Sequence, residues 1–281
     1  FTCGLLSSGE VKCWGRSNSG QLGYGDTSDR GDGADEMGND LPAVDLGTGK
    51  TAKQVITGLY HACALLNDDT MKCWGDGNSG QLGYGDQVSR GSGANDMGDN
   101  LPAIDLGTGL TAKKIYGGGS HTCAILNDDT IKCWGQGNFG QMGSGYQSNR
   151  NNPSIHDPID LGTGKTVKQI GTGESHSCAI LNDDTLKCWG RGQYGRLGYG
   201  NEDNIGDGSN EMGDNLPAVD LGTGKTAKQV VGGQLHTCAI LNDDTVKCWG
   251  MGHKGQLGYG DYSQRGEAAG DMGDNLPTVD L

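Results

Sequence analysis

The chain has 281 residues, 54 of which are glycine, and only 33% of its residues are hydrophobic. Its formal net charge is −14, which argues against a nucleic-acid-binding protein because phosphates require a basic surface. No apolar run approaches the length of a transmembrane helix, and no amphipathic helix pattern stands out. The glycines recur at fixed positions, so we interpret them as turns and close backbone approaches instead of disorder.

One segment recurs five times along the chain. Its second copy reads Cys63-Ala-Leu-Leu-Asn-Asp-Asp-Thr-Met-Lys-Cys73-Trp74-Gly75, and the tryptophans of the five copies are 60, 60, 55 and 60 residues apart. These tryptophans are Trp14, Trp74, Trp134, Trp189 and Trp249. Self-similarity at a fixed period indicates a repeat architecture. We therefore predict a single repeat array over 1–281, with repeats at about 1–46, 47–106, 107–161, 162–221 and 222–281.

The second repeat shows the predicted elements in order. A β-favouring run at 51–56 precedes a hairpin at 61–74, a glycine-rich segment at 75–85 and a polar loop at 86–100, and an apolar run at 101–106 closes the repeat. Four short strands per repeat are the content of one propeller blade. We predict an all-β fold, a β-propeller-like array of five four-stranded blades, which forms either a closed ring or part of a larger or open propeller.

The hairpin pattern also predicts a strand register. If residues 67–69 form the turn, Cys63 lies directly opposite Cys73, at a separation that a disulfide accepts. Because side chains alternate along a strand, both cysteines then share one face, and Leu66 and Trp74 share the other. Both faces carry apolar side chains, so the sheet must be covered on both sides.

The ten cysteines form five Cys-x9-Cys pairs with none left over. The predicted disulfides are Cys3–Cys13, Cys63–Cys73, Cys123–Cys133, Cys178–Cys188 and Cys238–Cys248. A zinc site is the competing interpretation, since a histidine stands two residues before the first cysteine in four copies. Phe1 occupies this place in the first copy while both cysteines remain, so we favour disulfides. The histidines and the five tryptophans are then structural, with the histidines hydrogen-bonded to backbone; the histidines are His61, His121, His176 and His236.

Such regular disulfides favour an oxidising compartment, so we predict an extracellular or cell-surface protein. The chain opens on Phe1 instead of methionine, and its first copy lacks the segment that precedes the other hairpins. We expect that a signal peptide has been removed or that the chain is part of a longer one. The array is open at both ends in sequence.

The motif of the second repeat resembles that of a known family. It reads His61-x-Cys-Ala-Leu-Leu, Lys72-x-Trp74-Gly75 and Asn78-x-Gly80-Gln81-Leu82-Gly83-x-Gly85. It resembles the repeat of the regulator of chromosome condensation family over essentially the whole chain, which implies a β-propeller, commonly seven-bladed. The chain departs from that pattern in having five hairpins, flanking cysteines and a longer acidic loop.

These departures limit the functions that the resemblance implies. Nuclear members of the family exchange nucleotide on a small GTPase and bind chromatin, which does not suit an acidic, disulfide-bonded chain. The family also includes secreted propellers, among them a bacterial inhibitor of β-lactamases, and that precedent agrees better with the cysteines. A Gly-x-Gly-x-x-Gly match at 75–80 is set aside because no helix can follow it.

The acidic loops are candidate calcium sites. In four repeats a loop rich in carboxylates and glycine ends in Met-Gly-Asx-Asx-Leu-Pro, and Ca²⁺ prefers such oxygen ligands. The candidate ligands are Asp26, Glu36, Asp86, Asp96, Asp99, Glu211, Asp214, Asp261, Asp271 and Asp274. The spacing is not that of an EF-hand, so a self-capped structural loop is the alternative. No other cofactor is predicted.

The sequence contains no isolated set of residues typical of a catalytic site, because each reactive residue type recurs in every repeat. Such residues are part of the structural framework that the repeats share, which we call the frame. We therefore predict a protein that is not an enzyme. One hypothesis is a self-associating structural subunit of a surface assembly or filament. The other is a soluble secreted propeller that binds a protein or glycan through the variable residues 16–18, 76–79, 136–139, 191–194 and 251–254, with Phe139 and Tyr194 among the contacts.

Overall fold

A computed structural model describes all 281 residues. It contains fourteen β-strands and five short 3-10 helices, which is an all-β fold as predicted. The chain forms two compact units, residues 1–136 with 149–157, and residues 137–148 with 158–281. None of the helices has the length and apolar content that a membrane span requires.

The first unit contains one two-stranded and two three-stranded antiparallel sheets. The strands are β1 (Thr2–Leu5), β2 (Val11–Trp14), β3 (Ala52–Thr57), β4 (His61–Leu66), β5 (Met71–Gly75), β6 (Ala112–Gly117), β7 (His121–Leu126) and β8 (Ile131–Gly135). Within each three-stranded sheet the strands pair in chain order, so β4 and β7 are the central strands. The 3-10 helices of this unit are Gly98–Asn100 and Pro153–Ile155.

The second unit contains two three-stranded sheets of the same topology. Its strands are β9 (Val167–Thr172), β10 (His176–Leu181), β11 (Leu186–Gly190), β12 (Ala227–Gly232), β13 (His236–Leu241) and β14 (Val246–Gly250). Its 3-10 helices are Gln193–Gly195, Gly213–Asn215 and Gly273–Asn275.

The hairpin register predicted from the sequence is confirmed. In the β4–β5 hairpin Cys63 pairs with Cys73 and Leu65 with Met71. The turn closes because Asp69 adopts a φ of 65°, the left-handed conformation that Asn and Asp tolerate best after glycine. The same left-handed aspartate closes the hairpins of repeats three, four and five.

The hairpins of repeats two, three and four bury both of their faces, as the alternation required, whereas the first and last hairpins are partly exposed. One face of the β4–β5 hairpin places Leu66 and Trp74 in a cluster with Val11 of the preceding repeat. The opposite face places Cys63 in a cluster with Ile115 of the following repeat. The repeats are therefore held together by apolar contact between successive sheets within a unit.

The predicted fourth strand of each repeat is not confirmed, since the sheets contain at most three strands. The run Leu101–Leu106 is irregular, and it is joined to the outer strand through the Ile104 N–H, which donates to the Met71 carbonyl at 2.9 Å. Pro102 has no N–H to contribute to a ladder. The corresponding Val44, Val219 and Val279 make the same single hydrogen bond.

The tryptophans connect neighbouring repeats. Trp74, Trp134, Trp189 and Trp249 are completely buried, whereas Trp14 is partly exposed. The Trp74 indole N–H donates to the Gln21 carbonyl at 3.1 Å. The glycine of the Gln-Leu-Gly motif leaves room for the tryptophan ring of the following repeat, since a Cβ on Gly83 would lie 2.7 Å from Trp134 Nε1.

Candidate functional site

The five predicted disulfides are present in the structure, with Cα–Cα separations of 4.0 to 4.1 Å and no free cysteine. Each one crosses a hairpin between directly opposed strand residues. Oxidised in this way, the sulfur atoms are not available as ligands for the zinc site that was the competing interpretation.

The four histidines occupy internal positions. His61, His121 and His176 are completely buried, and His236 is partly buried. His61 Nε2 lies 2.9 Å from the Thr122 hydroxyl, and His176 Nε2 lies 2.8 Å from the Thr237 hydroxyl. The expected backbone partner is thus wrong for His61, since its partner is a hydroxyl of the following repeat. Burial lowers the pKa of His61 to about 3 and that of His121 to about 4, so both rings are neutral at pH 7.

The candidate calcium ligands fall into three separate hydrogen-bond networks. In the first, an aspartate pairs with the arginine four residues later, as in Asp86–Arg90 at 2.8 Å. The equivalent pairs are Asp26–Arg30 and Asp261–Arg265. The arginine holds the pKa of Asp86 below its usual value.

In the second network, a carboxylate caps its own loop. One Asp96 oxygen accepts from the backbone N–H groups of Gly91 and Gly93 at 3.1 and 2.8 Å. Glu36, Glu211 and Asp271 accept from the equivalent loop amides. These side chains act as the self-capped structural loop that the sequence left open as the alternative.

In the third network, a carboxylate joins the acidic loop to the start of its repeat. Asp99 accepts from the Thr48 amide at 2.8 Å and from its hydroxyl at 2.6 Å. Asp214 with Thr163 and Asp274 with Thr223 repeat this arrangement. The threonine hydrogen bonds hold the pKa of Asp99 below its usual value.

The expected gathering of calcium ligands is therefore not found. No group of three or more His, Cys, Asp or Glu side chains is placed to hold a metal ion. The physical reason is that the carboxylates bind N–H, hydroxyl and guanidinium groups of the protein, which occupy the oxygens that a cation would need.

The variable loops of the second unit carry rings and cations that the frame does not use. The Arg191 guanidinium lies 4.5 Å from the centre of the Phe139 ring, within the range of a cation–π contact. The Arg196 guanidinium lies 5.6 Å from the centre of the Tyr194 ring. Tyr194 in turn meets the His253 ring edge-on, with centroids 6.2 Å apart. These five residues, contributed by repeats three, four and five, form what we call the arginine–aromatic patch.

The loop of the patch is built differently from its four counterparts because of one substitution. The other repeats have a glutamine at the position of Arg196, and its Oε1 accepts from the amide two residues earlier at 2.8 to 2.9 Å. The arginine side chain has no hydrogen-bond acceptor, so it cannot replace the glutamine in this contact. The Tyr194 amide donates instead to Glu202 Oε1 at 2.6 Å, and Tyr194 adopts a φ of 65°, which none of its counterparts does.

Sequence reasoning found part of this patch and missed the rest. Phe139 and Tyr194 were among the predicted contact residues, and Arg191 lies in a predicted variable segment. Arg196 and the link to Glu202 were missed, because position 196 belongs to the Gly-Gln-Leu-Gly motif that was assigned to the frame. The available signal was the arginine itself, which replaces a glutamine found in every other copy.

Comparison with sequence families gives one consistent result. The model of the regulator of chromosome condensation (RCC1) repeat matches residues 1–21, 52–81, 112–141, 167–196 and 227–256. A second model with the same description matches residues 129–180 and 183–240.

The chain also matches individual curated proteins. The chain is 34% identical to the ultraviolet-B receptor UVR8 of Arabidopsis thaliana over 233 residues, which are 82% of this chain and 48% of the receptor. It is 27% identical to the E3 ubiquitin-protein ligase HERC2 of Homo sapiens over 253 residues, which are 88% of this chain and 5% of the ligase. The chain thus spans about half the length of the receptor and a small part of the ligase.

Two solved yeast structures share the fold. Yeast RCC1 (Prp20) in its complex with Kap60 matches with a TM-score of 0.70 at 21% identity, over 99% of this chain and 59% of that one. Prp20p from Saccharomyces cerevisiae, described with its binding properties to Gsp1p and histones, matches with a TM-score of 0.72 at 21% identity, over 99% and 61%.

Proposed function

Because the chain belongs to the regulator of chromosome condensation repeat family, we propose that it is a non-catalytic module that binds another protein through the loops that differ between its repeats. One observation carries this proposal: the reactive residues common to the repeats are committed to the frame, whereas the arginine–aromatic patch is not. Aromatic and arginine side chains dominate the binding energy of protein interfaces.

The relatives support a protein partner. The yeast RCC1 (Prp20) structures are described with Kap60, Gsp1p and histones. At 21% identity and partial coverage these partners are not transferred to this chain. The composition also does not favour chromatin binding, which needs a basic surface, because the chain has 35 acidic residues and only 21 lysines and arginines.

The site of action is proposed to be extracellular or at the cell surface. Its support is the set of five disulfides with no free cysteine, because reducing compartments keep thiols reduced. Fractionation of the source cells, with thiol labelling of each fraction before and after reduction, tests this proposal. A fully reduced chain in the cytosolic fraction would contradict it. Closure of the repeats into a ring, with a fourth strand in each blade, stays a prediction for the whole protein.

The binding function is tested by site-specific photo-crosslinking. A photoreactive phenylalanine replaces Phe139 or Tyr194 in the unreduced chain, and Ile155, which is 72% exposed, is the matched control position. We expect a crosslink to one different protein from positions 139 and 194 and none from position 155. The purified partner must then bind the unlabelled chain in isothermal titration calorimetry.

The structural-subunit hypothesis makes a different prediction for the same material. A filament subunit crosslinks to further copies of itself and sediments as polymers at low concentration. That outcome, or equal crosslinking from all three positions, would contradict binding through these loops.

A further inference from the structure

Two arginines of the fourth repeat, Arg191 and Arg196, form no ion pair with a carboxylate, and the same is true of the isolated Arg16 and Arg150. Arg30, Arg90 and Arg265 each form an ion pair with an aspartate at 2.7 to 2.8 Å. Arg191 forms no ion pair, and its guanidinium contacts the Phe139 ring. Carboxylates are plentiful in a chain with a net charge of −14, yet the fourth repeat places two guanidinium groups without an ion pair in one loop.

Arg196 is completely buried. Its Nε donates to the Gln193 carbonyl at 2.8 Å, whereas Nη1 and Nη2 have no hydrogen-bond partner. A buried guanidinium is costly unless its donors are satisfied. Burial and the nearby Arg191 charge lower the pKa of Arg196 to about 10, so it remains a cation at pH 7 that needs acceptors.

The neighbouring acidic side chains do not meet this need. Glu174 and Glu202 lie close enough to affect the charge of Arg196, but neither forms a hydrogen bond or an ion pair with it. Glu202 Oε1 is already engaged by the Tyr194 amide. The second repeat shows the satisfied form of this loop, in which the Asp76 carboxylate accepts from the Gln81 amide at 2.7 Å.

We propose that Arg191 and Arg196 bind the carboxylate of an aspartate or glutamate side chain of the protein partner, and that the Tyr194 ring moves aside to admit it. The planar guanidinium fork matches a carboxylate in bidentate geometry. Arg191 is only partly buried and forms the entry, and Arg196 forms the floor below the Tyr194 ring. Phe139 and His253 flank the entry and contact the apolar part of the partner segment.

A protein carboxylate is favoured over a nucleic-acid phosphate by the field of the whole chain. A net charge of −14 repels a polyanion along its length, whereas a single acidic side chain on an otherwise neutral segment meets only the local cations. The proposal rests on the protein-binding function above and assigns its specificity to this patch.

The chain supplies its own matched variants. Arg196→Gln restores the residue of the other four repeats, and the pair Arg191→Asp with Arg196→Gln rebuilds the carboxylate–amide contact of the second repeat. Both variants are therefore expected to fold. Arg16→Gln is the control, because Arg16 holds the position of Arg191 in repeat one but has Gln21 in place of the second arginine.

The test is a titration of the full unreduced chain, labelled with ¹⁵N, followed through the arginine Nε–H and Tyr194 amide signals. The probes are the peptide Gly-Ser-Glu-Leu-Glu-Ser-Gly, its counterpart with glutamine for glutamate, and an octamer of oligothymidine. We expect saturable shifts of the Arg191, Arg196 and Tyr194 signals with the glutamate peptide alone. Arg196→Gln should weaken its binding by about tenfold or more, the double variant should abolish it, and Arg16→Gln should not change it.

Several outcomes would overturn the proposal. These are equal shifts with the glutamine peptide, stronger shifts with oligothymidine, or unchanged glutamate-peptide binding by the double variant. A loss of thermal stability in Arg196→Gln without a loss of peptide binding would show that Arg196 is purely structural. If a crosslinked partner binds the double variant as tightly as the native chain, the carboxylate site is wrong while the proposed protein-binding function stands.

Discussion

Substitution of Lys72 by methionine tests how the acidic loop is fastened to its repeat. The Lys72 ammonium is buried, with 6% of the residue exposed, and donates to the Leu46 and Gly98 carbonyls at 2.9 and 2.8 Å. Lys132, Lys187 and Lys247 make the same pair of contacts in their repeats. Each lysine thus joins the end of one repeat to the loop of the next within its unit.

Methionine keeps the apolar stem and removes both hydrogen bonds. Two buried carbonyls lose their partner at a cost of about 1–3 kcal/mol each. Part of this cost is offset because a desolvated cation is removed, and burial already lowers the Lys72 pKa. We therefore expect Lys72→Met to lower the free energy of unfolding by about 2–4 kcal/mol.

Lys12→Met is the matched control, since Lys12 holds the same position in repeat one. Its ammonium donates to one carbonyl, that of Gly38, in an exposed setting, so we expect a loss below about 1 kcal/mol. Urea unfolding of the oxidised chain at pH 7, followed by tryptophan fluorescence and by amide exchange in β4, measures both losses. Equal losses for the two variants, or a more stable Lys72→Met, would refute the reasoning.

Three further predictions follow from the frame. Reduction of the disulfides should lower the melting temperature by at least about 10 °C. The reason is that each cross-link over a separation of 10 residues contributes about 2–3 kcal/mol in the chain-entropy model. An unchanged melting temperature after reduction would contradict this prediction. The buried His61 and His121 have pKa values of about 3 and about 4, below the unfolded value. The stability that these neutral rings contribute to the fold is therefore complete above about pH 6.5 and is lost as the pH falls towards 4 and 3. His61→Gln should reduce the dependence of the free energy of unfolding on pH, measured from pH 7 to pH 4. Gly83→Ala should lower the free energy of unfolding by about 2–4 kcal/mol, because Gly83 has a positive φ and its Cβ would contact Trp134. Gly49→Ala, where the added Cβ meets open space, should lower it by about 1 kcal/mol. Similar urea midpoints for the two variants would disprove this difference.

The hairpin could be predicted in detail because its determinants are local. Alternation with a period of two assigned Cys63 and Trp74 to opposite faces, and the two faces do lie in different clusters. The turn residues fixed the register, which in turn placed the cysteines opposite each other. Each of these steps needs only a few consecutive residues, so a single sequence sufficed.

The partners of polar side chains could not be predicted in the same way. The carboxylate of Asp99 binds a threonine 51 residues earlier, and the imidazole of His61 binds a hydroxyl 61 residues later. Neither distance is visible in a local pattern, because both contacts arise from the stacking of one repeat on the next. A loop rich in carboxylates therefore suggested an ion site, although the protein itself supplies the donors.

The five copies of the loop before Leu197 and its counterparts separate two kinds of sequence change. At the position of Tyr194 the other repeats carry serine, phenylalanine or lysine, yet the loop backbone is the same in those four, because the glutamine two residues later still accepts from the amide. This position is partly or fully exposed, and variation there leaves the amide–glutamine hydrogen bond in place. Replacement of the glutamine by Arg196 removes the acceptor, turns the Tyr194 amide to Glu202 and leaves Nη1 and Nη2 of the guanidinium without acceptors. Only the fourth of the five repeats has lost this acceptor, and its loop is the one to which we assign recognition of the partner.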